Sequence, residues 1–181
     1  MGTTGQDSAR TITSELNLGI TPEEYIEELE QEYLKVFDNV PFMPGAEELV
    51  RHFHKHNIPI AIATSSKTHT FEMKTKHLKH IFNLFHHILI CSDDPEVKRG
   101  KPAPDSYQVC VSRFDVKPVS MQNVLVFEDA PAGVQAGLSA GCQVVWVPDP
   151  VIPRHLAKPT LTLNSLLEFR PELFGLPKFD Q

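Results

Sequence analysis

The feature of this sequence that most limits its fold is a regular alternation of strand and helix patterns between residues 45 and 147. Short apolar runs indicate strands covered on both faces, and the longer segments between them have helical spacing. The predicted strands are 58–63, 87–91, 124–127 and 143–147, and the predicted helices are 46–56, 67–84, 104–114 and 132–140. Such alternation is typical of a parallel sheet with right-handed crossovers, so we predict an α/β fold.

The first 40 residues differ from the rest, because their pattern indicates helices alone. In residues 8–18 the apolar side chains recur at helical spacing, which predicts one helix. A second helix should begin after Thr21, which can form a capping box with Glu24, and run to about residue 37. We therefore predict a partial helical cap over residues 1–40, followed by an α/β core over residues 41–181.

Composition and charge argue against several classes of function. The 181 residues are 41% hydrophobic and 22% charged, with a formal net charge of −6 and no basic run that would suit nucleic acid. No apolar stretch has the length of a membrane span, and the polar N-terminus does not resemble a signal peptide. Cys91, Cys110 and Cys142 are predicted to be buried, reduced thiols. We expect a cytoplasmic protein that binds neither nucleic acid nor membranes.

The first candidate site follows the strand that is predicted to end at Ala63. In parallel sheets, chemistry is found just past the carboxyl ends of the strands. Thr64, Ser65, Ser66 and Lys67 occupy this position. Hydroxyl groups and helix N-terminal amides together can bind an oxyanion, although Ser and Thr also commonly cap helices.

The second candidate is Lys101, which lies in the sequence GKPAPD. Pro104 suits the first position of a helix, and Asp105 suits its first turn because of the helix dipole. Lys101 would then be held in a rigid loop, where its ammonium group can neutralise a phosphoryl group and a neighbouring carboxylate. The alternative is a solvated surface lysine, which is the usual environment of this side chain.

The third candidate is the pair Glu128 and Asp129, which follows an apolar strand directly. Adjacent carboxylates at a partly buried strand end repel each other unless a cation is present. Mg²⁺ prefers a few carboxylates together with waters and substrate phosphate, so the pair is a candidate metal site. The alternative is that Asp129 caps the helix predicted to begin near Pro131.

These three segments, in this order, resemble motifs II, III and IV of the haloacid dehalogenase (HAD) superfamily. GKPAPD and FEDAPAGV are the most diagnostic phrases, and MPGAEELVRHFHKH and NSLLEFRPELFGLP resemble pseudouridine-5′-phosphatase-like members of its β-phosphoglucomutase-like subgroup. The resemblance implies a Rossmann-like parallel sheet beneath a helical C1 cap. It also implies Mg²⁺-dependent phosphoryl transfer through an aspartyl-phosphate.

The resemblance further implies roles for individual residues. Thr64 would bind the transferring phosphate, Lys101 would hold phosphate and nucleophile together, and Glu128 and Asp129 would hold Mg²⁺. The residues expected to line the site with them are Ser65, Ser66 and Lys67 at the phosphate end, and Thr3, Thr4 and Gly5 where the cap faces the substrate. The implied substrate is pseudouridine 5′-phosphate or a related nucleotide or sugar phosphate.

The sequence departs from the family at motif I. Family members carry Asp-x-Asp-Gly after their first strand, where the first Asp is the nucleophile, and these 181 residues contain no Asp-x-Asp. We therefore expect the chain as written to be inactive and to lack the first, central strand, which would lie between the strands ending at Thr64 and Phe127. Two exposed strand edges predict marginal stability. We expect a monomer if the missing N-terminal segment is present.

Two explanations stay open at this point. The sequence is either an incomplete or N-terminally shortened form of an active phosphatase, or a non-enzymatic pseudophosphatase that binds a phosphorylated ligand or a partner. A generic nucleotide-binding protein is disfavoured, because neither G-x-G-x-x-G nor G-x-x-x-x-G-K-[ST] occurs. His52 and His56 share one face of a predicted helix, but no third ligand is nearby in the sequence, so we predict a solvated helix face rather than a zinc site.

Overall fold

The computed structural model describes residues 5–180, which form a helical pair followed by an α/β core. The helices are α1 (Gly5–Glu15), α2 (Pro22–Val36), α3 (Ala46–Lys55), α4 (Thr68–Thr75), α5 (Lys79–Phe82), α6 (Asp105–Ser112) and α7 (Pro131–Ser139). The strands are β1 (Ala61–Thr64), β2 (His87–Ile90), β3 (Leu125–Glu128), β4 (Gln143–Trp146) and β5 (Leu161–Thr162). The predicted α/β class is confirmed.

All strand pairs are parallel, and they form two separate sheets. β1 pairs with β2, with Ala61 opposite His87, while β4 lies between β3 and β5. Within the described residues, β1 and β3 are not paired with each other. The strand expected between them stays a prediction. β5 has two residues, too few for an apolar run to be recognised in the sequence.

β4 is the most deeply buried strand. Val144, Val145 and Trp146 have no exposed surface, and successive side chains point to opposite faces of the sheet. Val144 and Trp146 join one apolar cluster with α7, and Val145 joins another with Phe53 of α3. The near-continuous apolar sequence of β4 therefore follows from its coverage on both faces.

The helical pair begins with α1, in which Ala9 and Thr13 are buried. The predicted capping box at the start of α2 is confirmed: the Glu24 amide donates to Thr21 Oγ1 at 3.1 Å, and the Thr21 amide donates to the Glu24 carboxylate at 2.8 Å. None of the helices in residues 5–180 is long and apolar enough to cross a membrane. The domain boundary at residue 40 stays a prediction.

The single helix expected over residues 67–84 is wrong, because the chain breaks it into α4 and α5. Leu78 leaves the helical conformation, with φ −105° and ψ 11°. Beside it, His77 Nε2 lies 2.9 Å from the Val40 carbonyl oxygen, a contact with the segment that follows the helical pair. No Gly or Pro marks the break, so the sequence contains no local stop signal for it.

Candidate functional site

The carboxyl end of β1 presents the first predicted group. Thr64 is the last residue of β1, and its Oγ1 accepts a hydrogen bond from the Ser66 amide at 3.1 Å. Ser65 and Ser66 are half-buried, and Lys67 is exposed. The Thr64 hydroxyl therefore organises the turn that leads from the sheet into α4.

No Ser or Thr caps α4, although the sequence left that reading open. The N-cap residue is Lys67, which makes no capping bond with its side chain. The capping group comes instead from the segment after β2: the Asp93 carboxylate accepts from the Thr68 amide at 2.9 Å and from its hydroxyl at 2.6 Å. These hydrogen bonds, with that from the Thr68 hydroxyl the largest, lower the pKa of Asp93. Asp93 thus ties the end of β2 to the segment that carries Thr64.

Lys101 is not a solvated surface lysine. Its side chain is 8% exposed, and its ammonium group lies 2.5 Å from Glu128 Oε1. The same ammonium group donates to the Ala63 carbonyl oxygen at 3.3 Å. Since Ala63 belongs to β1 and Glu128 ends β3, Lys101 connects the carboxyl ends of the two sheets.

Glu128 is buried to the same extent as Lys101 and has a second partner. The Tyr107 hydroxyl, from α6, donates to Glu128 Oε1. Burial first, and then the adjacent carboxylate, raises the pKa of Tyr107, so its hydroxyl stays protonated as a donor. Sequence reasoning missed Tyr107, because it follows no strand and belongs to no motif that indicates chemistry.

Gly133 explains how the Glu128 carboxylate fits against α7. A Cβ atom at position 133 would overlap that carboxylate, so the carboxylate can keep this position only beside a glycine. The neighbouring Ala130 is the N-cap of α7 and makes no side-chain capping bond.

Asp129, the second acid, is exposed and does not cap α7, so the capping alternative is wrong. Its backbone carbonyl accepts from Trp146 Nε1 at 2.9 Å, which fixes the main chain at the end of β3. The two acids thus have different environments: Glu128 is enclosed and paired with a cation, while the carboxylate of Asp129 is accessible to a ligand.

The structure therefore brings Lys101 and Glu128 into contact and places Thr64 next to the carbonyl that Lys101 binds. Asp129, which follows Glu128 in the sequence, is exposed. Thr3 and Thr4 lie outside the described residues, and Gly5 begins α1. A cation, hydroxyls and carboxylates at adjoining strand ends form a site suited to an anion with a metal ion.

Comparison with known proteins identifies the family. The model of the haloacid dehalogenase-like hydrolases matches residues 7–141, which is about three quarters of the chain. The chain belongs to the haloacid dehalogenase-like hydrolase family. The resemblance inferred from its motifs is thereby confirmed.

The relatives of this HAD-like chain that are 42% identical to it include a plant protein and an insect protein. One is (DL)-glycerol-3-phosphatase 2 of Arabidopsis thaliana, aligned over 183 residues that cover 99% of this chain and 76% of the relative. The other is the probable pseudouridine-5′-phosphatase of Drosophila melanogaster, with 99% of this chain and 78% of the relative covered. Among solved structures, the β-phosphoglucomutase of Clostridium difficile superposes with a TM-score of 0.74 at 24% identity, over 96% of this chain and 76% of the other, and shares its fold.

Proposed function

We propose that this HAD-like chain carries the phosphate-binding and Mg²⁺-binding groups of a phosphatase that acts on a small phosphorylated metabolite. The observation that supports this most directly is the buried ammonium group of Lys101, held between Glu128 and the Ala63 carbonyl beside Thr64. A buried cation at strand ends is costly to desolvate, and it is retained where it has charged partners.

Lys101 retains the capacity to bind a phosphate oxygen. An ammonium group has three N–H donors. Within residues 5–180, two acceptors take hydrogen bonds from Nζ, Glu128 Oε1 and the Ala63 carbonyl oxygen. The third N–H is then available to an anion, and a charge-assisted bond of this kind is stronger than a neutral one.

Thr64 supplies a second donor. Its Oγ1 already accepts a hydrogen bond from the Ser66 amide, and a hydroxyl group can donate while it accepts. The hydroxyl proton can therefore be donated to another acceptor, and we assign this role to a phosphate oxygen at the end of β1. We assign Ser65, Ser66 and Lys67 to the rim of the same phosphate site, since they form the turn between β1 and α4.

Asp129 fits a direct Mg²⁺ ligand, because its carboxylate is exposed at the end of β3. Glu128 fits an indirect role better, since its carboxylate is already neutralised by Lys101 and bonded to Tyr107. Mg²⁺ keeps several waters and binds one or two carboxylates together with substrate phosphate. The ion would offset the negative charge of the phosphoryl group, while Glu128 holds Lys101 in position for the same group.

The substrate class follows from the relatives. Their names include a glycerol-3-phosphatase and a probable pseudouridine-5′-phosphatase. We propose a phosphate monoester of a small polar molecule, with pseudouridine 5′-phosphate or a related nucleotide or sugar phosphate as the first choice. The cytoplasmic location and the monomeric state stay predictions.

A second candidate function is binding of a phosphorylated ligand or partner without hydrolysis. The observation that favours it is that these 181 residues contain no Asp-x-Asp. In the family that the sequence motifs resemble, this motif supplies the nucleophile. An enzyme that lacks its nucleophile retains only the weak residual rate that positioning and electrostatics support. Both candidates require the same phosphate site, and turnover by the chain would exclude the second.

The test compares two lysines of the same loop, Lys101 and the exposed Lys98. Binding of inorganic phosphate in the presence of Mg²⁺ is measured by calorimetry for the full chain, Lys101→Met and Lys98→Met. Because a hydrogen bond to a charged group contributes about 1.5–3 kcal/mol, Lys101→Met should weaken phosphate binding about tenfold or more. Lys98→Met should leave it unchanged.

A further variant controls for folding, since Lys101→Met leaves Glu128 as a buried, unpaired charge at a cost of about 3–5 kcal/mol. Lys101→Met/Glu128→Gln removes both charges and should recover most of that stability without recovering phosphate binding. Wild-type phosphate affinity in the double variant would contradict the proposed site. Release of phosphate from pseudouridine 5′-phosphate or glycerol 3-phosphate by the wild-type chain would exclude the second candidate.

A further inference from the structure

Three side chains of types that can bind a metal ion lie close together beside α3. They are separate in sequence from the residues of the phosphate site. His52, His56 and Asp180 each offer one donor atom, and these atoms lie within 4.8 Å of one another. The solvated helix face expected for this histidine pair is wrong for His52, which is 6% exposed. The third ligand, which the sequence did not indicate, comes from the far end of the described chain.

The two histidines have a spacing that suits a shared ion. They are four residues apart on a helix, which places them on the same face one turn apart. Their ring centroids are 4.5 Å apart. Helical histidine pairs at this spacing are a recurrent zinc-binding arrangement.

His52 uses one ring nitrogen in a hydrogen bond and leaves the other for a ligand. Its Nε2 lies 2.8 Å from the Pro177 carbonyl oxygen. A carbonyl can only accept, so Nε2 carries the proton and Nδ1 keeps its lone pair. Metal-bound histidines characteristically donate their second ring N–H to a backbone carbonyl or carboxylate, which fixes the ring. Phe179 packs on this ring with centroids 4.6 Å apart, and the next residue is Asp180.

His56 contributes a nitrogen that lacks a partner. Its Nε2 is buried and has no hydrogen bond within the described residues. Buried polar atoms without partners are uncommon, and an unplaced water or ion is one recognised explanation. A metal ion at this nitrogen would satisfy it.

Asp180 supplies an ionised oxygen. Its carboxylate lies 2.6 Å from Lys55 Nζ. Both side chains are more than half exposed, so the pair is weak and Lys55 can turn away when a divalent ion binds.

We propose that His52, His56 and Asp180 form a Zn²⁺ site, with water as the fourth ligand. Two imidazoles and a carboxylate suit Zn²⁺, whereas Mg²⁺ prefers oxygen ligands alone. Zn²⁺ bonds of about 2 Å hold donor atoms roughly 3.3 Å apart, a distance that small side-chain rotations reach from the present arrangement. The bound ion joins α3 to the segment over residues 177–180.

The experiment titrates the full chain with Zn²⁺ against a chromogenic chelator and compares three variants. His56→Gln and Asp180→Asn each remove one proposed ligand. His54→Gln is the matched control, because His54 lies on the same helix and is exposed. Changing residues outside the first coordination sphere of a metal already costs about 10–100-fold in affinity, so loss of a ligand should weaken binding at least about tenfold. The control should stay within about twofold.

Two further readouts keep the proposal testable if one variant folds poorly. Co²⁺ in the wild-type chain should give the intense visible absorption of a tetrahedral ion, and this absorption should be lost in Asp180→Asn, which alters an exposed side chain. Zn²⁺ should raise the melting temperature of the wild-type chain more than that of His56→Gln. Equal Zn²⁺ affinity in the wild-type chain and both ligand variants, or an equal loss in His54→Gln, would overturn the site.

Discussion

The two sheets of this HAD-like chain contain strands that differ in how deeply they are buried. In the sheet of β3, β4 and β5, the central strand has neighbours on both sides, and Val144, Val145 and Trp146 are completely buried. In the sheet of β1 and β2, all four residues of β1 are only half-buried. Strand β1 therefore gains less than β4 from apolar burial, which contributes roughly 25 cal/mol per Å².

The candidate site lies where these unequal sheets meet. Glu128 ends a strand of the well-packed sheet, and Thr64 ends the half-buried strand β1. Lys101 contacts the carboxyl ends of both. The β3 side of the site thus belongs to the sheet with the fully buried central strand, whereas the β1 side is held by hydrogen bonds. Changes to packing and to polar contacts should consequently have effects of different size.

The largest effect is expected in β4. Trp146→Ala removes a fully buried ring and the hydrogen bond from its Nε1 to the Asp129 carbonyl, and should lower the free energy of unfolding by about 3–5 kcal/mol. Ile62→Ala in β1 should cost only about 1–2 kcal/mol, because that side chain is half-buried. Urea unfolding of both variants measures the difference. Equal decreases in the free energy of unfolding would show that β1 and β4 are equally well packed, against the comparison drawn above.

The second prediction concerns the contact that positions Glu128. Gly133→Ala places a methyl group against the Glu128 carboxylate and forces it away from Lys101. Overpacking of this kind should cost about 1–3 kcal/mol in the free energy of unfolding, and phosphate binding should weaken with it.

Gly5→Ala serves as the control for that substitution, because a Cβ atom at position 5 meets no atom within 4 Å. Its free energy of unfolding should change by less than about 0.5 kcal/mol. A Gly133→Ala chain as stable as the control, with phosphate binding unchanged, would mean that the Glu128 carboxylate is not held against α7.

The smallest effect is expected at the polar side of the site. Asp93→Ala removes the carboxylate that caps α4 and should cost about 1 kcal/mol near neutral pH. Hydrogen bonds from Thr68 lower the pKa of Asp93 below its ordinary value of 3.8, so this stabilisation is present above that value and is lost as the pH falls through the lowered pKa.

The difference in unfolding free energy between the wild-type chain and Asp93→Ala should therefore be full near pH 7 and should shrink below about pH 4. Glu27→Ala, which alters an exposed carboxylate on α2, is the control. A difference that stays constant down to acid pH would show that the Asp93 carboxylate does not act through its charge.

The sequence by itself determined the local features of this protein. The capping box of Thr21 and Glu24 was predictable because both partners lie within one helical turn. The α/β class followed from the alternation of apolar runs with helical segments, since each run must bury itself between covering layers. Thr64, Lys101, Glu128 and Asp129 could be named because each follows a strand or lies in a motif with a recognisable order.

Only the tertiary structure decided which of these groups meet. It joined Lys101 to Glu128, added Tyr107 from α6 and set the Glu128 carboxylate against Gly133. It also brought Asp180 to the histidines of α3. The physical reason is that these contacts join residues far apart in the chain. Helical spacing and capping rules describe neighbours within a few residues, whereas distant partners are selected by the packing of the whole fold.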